Sequence, residues 1–234
     1  MSTPGALAGL QTFDPLNIAY ETAYADNPLK KSCIAAAISQ LPPSSHVLDM
    51  GCGTGVPVSQ LLASANHTVT GVDISPNMIA HAASRVRGTF LVADMLTYVP
   101  SRNYAAVFLI FSHLQLRYAE LHGLALRLAS ALDEGGLFVL GQMPGDSHVR
   151  EGEWGDGAGT WVEEYDAPFM GEMLPTLMLS RAGQRKWLES MGLEVVWEEV
   201  GMFQPKDERC VPEEQQYLIA RRRGEVRGAE PAPR

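Results

Sequence analysis

Three aspartates and three glycines stand at spacings that can hold a ligand. The run His46-Val-Leu-Asp-Met-Gly-Cys-Gly-Thr-Gly55 passes from a short apolar stretch through Asp49 into Gly51, Gly53 and Gly55. Glycines at that spacing let the backbone turn tightly and approach a ligand with no Cβ in the way. A helix start just beyond offers unpaired N–H groups. Asp73 closes the run Val-Thr-Gly-Val-Asp, 22 residues beyond Gly51, and Asp94 closes Phe-Leu-Val-Ala-Asp.

The ligand follows from what these groups accept. A dinucleotide fingerprint needs a glycine where Val56 stands, and a phosphate loop needs Gly-Lys-Ser/Thr, which the sequence lacks. A carboxylate at Asp49 repels a pyrophosphate and attracts an ammonium. Asp73 suits the two hydroxyls of a ribose. Asp94 suits the exocyclic amine of adenine, with Ile74 and Met95 placed to sandwich a flat ring. An amino-acid end, a ribose and an adenine together describe S-adenosylmethionine, with S-adenosylhomocysteine as the product of transfer. Cys52 lies within the loop, as a cofactor-lining residue or a small filler. The three cysteines, Cys33, Cys52 and Cys210, are too widely spaced for a disulfide framework or a zinc site, and no metal is expected.

The elements that must position these groups alternate in type. Leu16–Tyr24 and Pro28–Gln40 are expected as helices, and Pro42-Pro43 stops the second. Strands are expected at His46–Met50, Thr68–Val72, Thr89–Val92, Tyr104–Ile110 and Leu137–Gln142. Helices are expected between them at Val58–Ala65, Pro76–Val86 and Tyr118–Leu132. A further helix, Arg181–Met191, precedes two strands, Leu193–Phe203 and Glu214–Arg221, joined by a connection short enough for an antiparallel pair. The rhythm predicts an α/β fold with a doubly wound, seven-stranded, mostly parallel sheet and an antiparallel last strand. Residues 1–14 and 224–234 are expected to be mobile and disordered ends of one domain spanning residues 15–223. Within it, the helices of 16–41 form a cap and 143–180 interrupts the alternation.

With these residues in order, the sequence resembles the class I S-adenosylmethionine-dependent methyltransferases. VLDMGCGTG corresponds to the family's first motif, and GVDIS and VADM to its ribose and adenine motifs. YAAVFLIFSHLQL and LDEGGLFVLGQM are similar to its fourth and fifth strand regions. The resemblance implies that Asp49 contacts the methionine moiety, directly or through water, and that Gly51, Gly53 and Gly55 line the cofactor. It implies further that Asp73 holds the ribose, Asp94 and Met95 the adenine, and that Phe111 lies near the methionine end. Tyr20 and Tyr24, on a helix that closes over the cofactor in this family, are candidates for cofactor contact or for helix packing. His113 stands where acceptors approach, as a candidate base or a packed polar residue. The branch closest in appearance includes quinone-biosynthesis and secondary-metabolite enzymes.

The acceptor is read from segment 143–180, which leaves the fifth strand on the side of the glycine loop. Between Asp146 and Glu172 it carries eight acids and one base, Arg150, and so −7 of the chain's net −9. Trp154, Trp161, Tyr165 and Met170 are candidate substrate contacts on a lid whose acids disfavour anions. The expected activity is in-line methyl transfer to a small, largely apolar or aromatic metabolite. The alternatives are a cyclisation or isomerisation in the same pocket, or a partner-subunit role. The pI near 5.1 argues against a nucleic-acid or membrane partner. The Asn-Pro-Pro-aromatic signature of amino-group nucleic-acid methylation is absent after Ile110. A cytoplasmic monomer or homodimer is expected.

Overall fold

Tyr104–Ile110, continuously apolar, becomes the central strand of a seven-stranded sheet covered on both faces. The computed structural model describes residues 4–228. In chain order the elements are α1 (Pro4–Tyr24), α2 (Pro28–Ile38), β1 (His46–Met50), α3 (Val58–Ser64), β2 (Thr68–Asp73), α4 (Pro76–Arg85), β3 (Thr89–Val92) and β4 (Tyr104–Ile110). There follow α5 (Tyr118–Ser130), β5 (Leu132–Gln142), a 3-10 turn at Gly145–Ser147, β6 (Trp161–Phe169), β7 (Glu172–Leu179), α6 (Arg181–Ser190), β8 (Leu193–Phe203) and β9 (Glu213–Arg222). The strand order is β3-β2-β1-β4-β5-β9-β8, parallel except that β9 runs antiparallel to both neighbours.

Alternate residues of each strand feed different cores. Leu48, Val107, Leu109, Phe138 and Leu140 meet α5 and α6 on one face. Val47, Ala106, Phe108, Leu137 and Val139 meet α2 and α3 on the other. Helix starts are capped by the residues that favour it. Asn27 accepts from the Lys30 N–H before Pro28, Ser75 from Met78 before Pro76, and Ser180 from Gly183. No helix among the described residues is long and apolar enough to cross a membrane.

Three regions differ from the sequence expectation. Helix α1 begins at Pro4, inside the stretch expected to be mobile, and kinks at Asn17. Its anchor is Phe13, edge-on to Tyr20 at 5.7 Å and to Phe169 at 5.4 Å, a tertiary contact that the Gly- and Pro-containing sequence hides. Residues 1–3 and 229–234 lie outside the described residues. The start of the tail is held, not free: Val226 packs on the core and the Arg227 N–H donates to the Met191 carbonyl at 3.0 Å. Segment 143–180 contains a separate antiparallel hairpin, β6–β7, with Met170-Gly171 at its tip. A bridge between Pro144 and Leu179 brings its two ends together.

Candidate functional site

The carboxyl ends of β1, β2 and β4 open into a cleft of about 1100 Å³, lined by residues of the glycine loop, the β2–α4 turn, the loop after β3 and α1. This is where parallel α/β sheets take ligands. Gly51, Gly53 and Gly55 all adopt positive φ, at 72°, 53° and 79°. A Cβ on Gly51 would stand 2.1 Å from the Ser112 Cβ, whereas one on Gly53 would meet nothing nearer than the Met78 sulfur at 3.9 Å. Gly51 is therefore required by packing, because Ser112, whose Oγ donates to the Met50 carbonyl, occupies its side-chain space. Gly53 keeps space in the loop open.

The aspartates divide the cleft. Asp49 is buried on β1, with Oδ2 accepting from Ser59 Oγ at 2.7 Å. Burial pushes its carboxyl up to about 7, against the pull of the Ser59 hydrogen bond. Asp73 accepts the Gly53 N–H through Oδ2 at 2.8 Å and the Ser75 N–H through Oδ1 at 2.9 Å. It thereby ties the glycine loop to the α4 cap, and each oxygen keeps capacity for a further donor. Asp94 accepts the Leu96 N–H at 2.9 Å, and Arg127 Nη2 on α5 donates to the Met95 and Leu96 carbonyls, both at 2.9 Å. The adenine-side loop is thus held from two directions. Cys52, Ile74 and Met95 line the cleft.

Helix α1 lies over this floor. Asp14 hydrogen-bonds Ser75 Oγ and, at 2.8 Å, Asn77 Nδ2, and Glu21 pairs with Arg85 at 2.7 Å. Tyr20 and Phe13 line the cleft and also an adjoining annex of about 410 Å³. Tyr24 lines only the annex, stacked on Tyr20 with centroids 4.9 Å apart. Phe111 borders both spaces and sits at φ 55°. That conformation is uncommon for a bulky residue and marks a position fixed by its surroundings. Its ring lies 5.7 Å from the Lys30 ammonium.

Lys30 was not legible as a site residue. It is buried in the first turn of α2 and lines the cleft. Burial pushes its ammonium down to about 8, opposed by the charges of Glu213 and Asp49. The signal was present: Lys30, Cys33, Ile34 and Ala37 have the spacing of one helix face, and that face is buried. Glu213, buried in the annex, was also missed. Its signal is the two-residue period that puts it on one face of β9 with Tyr217 and Ile219, which are core residues.

His113 is completely buried and lines neither cleft nor annex among the described residues. Its Nε2 pairs with Gln142 Oε1 at 2.7 Å, and burial pushes the imidazole down to about 4. The hairpin aromatics are also placed apart from the cleft. Trp161 stacks on Tyr118 at 4.8 Å, Tyr165 donates its hydroxyl to the His148 carbonyl, and Trp154 packs near Gly145. Met170 joins Ala23, Tyr24 and Phe203 in a small core. The hairpin reaches the annex through Ala167, Pro168, Phe169, Leu174 and Thr176 instead. Acids of the segment hold backbone: Asp146 accepts the Arg181 N–H and Glu163 the Tyr118 N–H, both at 2.7 Å.

The donor set fits the inferred cofactor on its own terms. A buried acid and a buried base, Asp49 and Lys30, form no direct ion pair with each other within the cleft, as a ligand carrying both charges requires. Asp73 with spare acceptor capacity and the Asp94–Met95 loop follow along the sheet edge.

Comparison with known proteins agrees. Residues 47–136 match the family model described as a methyltransferase domain. The chain is 38% identical over 74 residues to the 18S rRNA (guanine(1575)-N(7))-methyltransferase of Saccharomyces cerevisiae, covering 31% of this chain and 27% of that one. It is 34% identical over 108 residues to the trans-aconitate 2-methyltransferase of Delftia acidovorans, covering 44% and 40%. The chain thus spans less than half the length of these curated relatives. Among solved structures, the 1,6-didemethyltoxoflavin-N1-methyltransferase of Burkholderia thailandensis superposes with a TM-score of 0.68 at 15% identity, covering 95% of this chain and 91% of that one. The magnesium protoporphyrin IX methyltransferase of Synechocystis gives 0.64 at 19%, covering 94% and 98%. Residues 47–136 are thus similar to a methyltransferase domain, and the seven-stranded sheet has the Rossmann-like fold of these methyltransferase structures.

Proposed function

We propose that this chain is an S-adenosylmethionine-dependent methyltransferase whose acceptor is a small apolar or aromatic metabolite seated in the annex. The observation that carries the reading is the junction at Phe111 and Tyr20, which border the cofactor cleft on one side and the aromatic annex on the other. When bound, the cofactor supplies an electrophilic methyl group on a sulfonium that departs as a neutral thioether. The chain's own part is alignment and exclusion of water. Lys30 and Asp49 hold the carboxylate and ammonium, Asp73 the ribose, and the Asp94–Met95 loop the adenine. Helix α1 covers the cleft through Asp14 and Tyr20. In this reading His113 takes no part in the reaction: its ring is completely buried and lines neither cleft nor annex.

The test is incubation with methyl-labelled cofactor and a panel of aromatic amines, phenols and heteroaromatics, with S-adenosylhomocysteine binding measured in parallel. Labelled product from an aromatic acceptor is expected. Tight S-adenosylhomocysteine binding with no methylated product, and conversion of an acceptor to its isomer, would replace the reading with a non-methylating one.

A further inference from the structure

The annex contains one group that its apolar walls do not explain. Glu213, at the first position of β9, is 7% exposed and shares the annex with the rings of Tyr20, Tyr24, Phe111 and Phe169. A carboxylate among aromatic rings is unfavourable unless something pairs with it.

What pairs with it inside the chain is one-sided and rigid. Gln215 Nε2 donates to Glu213 Oε1 at 2.6 Å. The Gln215 amide cannot turn over, because its Oε1 accepts from Asn27 Nδ2 at 2.6 Å and from the Tyr217 hydroxyl at 2.7 Å. Asn27 is fixed in turn as the cap of α2, its Oδ1 accepting the Lys30 N–H. This series of hydrogen bonds runs from a helix start to one oxygen of Glu213. Oε2 accepts from no described residue. Lys30 is the nearby cation, yet the two form no ion pair. The result is a fixed acceptor, aromatic on its flanks, with an oxygen left for a donor from outside the chain.

The geometry points to Glu213 as the group that recognises the methyl acceptor, through an amino group carried by an aromatic compound held in the annex. This rests on the annex being the acceptor's seat. A carboxylate beside aromatic faces favours an organic cation over a neutral or anionic isostere, since the ring quadrupoles and the carboxylate attract the same sign of charge. Gln115, which borders both annex and cleft, adds a polar contact at the junction where the reacting atom must lie.

The experiment uses the full chain saturated with S-adenosylhomocysteine and three para-substituted phenols, cationic, neutral and anionic: tyramine, 4-methylphenol and 4-hydroxyphenylacetate. Binding is measured by calorimetry or ligand-observed NMR. Tyramine is expected to bind at least tenfold more tightly than 4-hydroxyphenylacetate, with 4-methylphenol between them. In Glu213→Gln, with S-adenosylhomocysteine again saturating, that preference is expected to fall at least tenfold. Equal binding of the three probes, binding of none, or a preference unchanged by Glu213→Gln overturns the assignment. If Glu213→Gln does not fold, the ranking in the unaltered protein decides. Two outcomes concern the reading beneath. Tyramine binding that persists when Phe169→Trp fills the annex removes the annex as the seat. Failure to bind S-adenosylhomocysteine at all removes the cofactor.

Discussion

Replacing Asp49 by Asn should change how cofactor affinity depends on pH. Asp49 titrates at about 7 because burial disfavours its charged form. The ligand's ammonium favours that charged form, so binding at neutral pH must release a proton. A group titrating at about 7 is about half ionised at pH 7 and about one-eleventh ionised at pH 6. If only the carboxylate pairs with the ammonium, affinity for S-adenosylhomocysteine falls about fivefold across that unit and about tenfold for each unit below. At pH 7 about half a proton should leave the protein per ligand bound. Lys30, at about 8, gives a second limb on the alkaline side, where the ligand's own amino group also titrates. The acid limb is therefore the diagnostic one. Calorimetry at pH 5.5 to 8, in two buffers of different ionisation enthalpy, measures both affinity and proton release. In Asp49→Asn the acid limb should vanish, leaving weak binding that declines only toward the alkaline side. The variant should also unfold at a higher denaturant concentration than the parent at pH 8, since no buried carboxylate then has to be ionised. An acid limb that survives in Asp49→Asn, or a parent flat between pH 7 and 6, would refute the pairing of Asp49 with the ammonium.

The remaining expectations concern loop, core and cap. Gly51→Ala should destabilise the fold by about 1–3 kcal/mol, because the new Cβ meets Ser112 at a positive φ; urea unfolding measures it. Gly53→Ala should keep most of that stability yet weaken S-adenosylhomocysteine binding, and equal loss of stability in both variants would sink the distinction. His113 titrates at about 4 in the fold against 6.5 when unfolded, so the unfolded chain takes up the proton first. Stability should fall by about 3 kcal/mol as pH drops from 6.5 to 4. His113→Gln should flatten that window in pH-dependent unfolding while leaving labelled-methyl turnover in place, and loss of turnover in a folded variant would restore His113 as a base. Asp14→Ala should free α1 from the β2–α4 turn, seen as faster amide exchange over residues 9–20 and weaker cofactor binding.

The convergence of the three aspartates on one cleft was legible because the signals are local. Asp49 lies near the end of β1, Asp73 ends β2 and Asp94 follows β3, and parallel pairing alone brings these strand ends to one edge. The sheet was legible for the same reason, since β-period and helix-period runs alternate without ambiguity from His46 to Gln142. The acceptor side was not. Trp154, Trp161 and Tyr165 drew attention as aromatics in an acidic insertion, but a hairpin needs its own packing and these rings supply it. Phe13, Phe169 and Glu213 meet only through tertiary structure, from α1, the hairpin and β9. Lys30 shows the intermediate case. Its position on the buried face of α2 can be read from the spacing, but the carboxylates that surround it cannot.

The bridge between Pro144 and Leu179 has a consequence for how this protein can vary. The hairpin leaves and rejoins the body at adjacent points, so its length contributes only weakly to the entropy of closing it. The residues that line the cleft come from α1, α2 and the stretch from Asp49 to Leu116, apart from this segment. A longer, shorter or differently sequenced hairpin can therefore be spliced at the same neck while the sheet stays as it is, provided a ring is kept where Phe169 anchors α1. The annex wall from Ala167 to Thr176 is then an exchangeable cassette, and the annex can be reshaped without rebuilding the sheet.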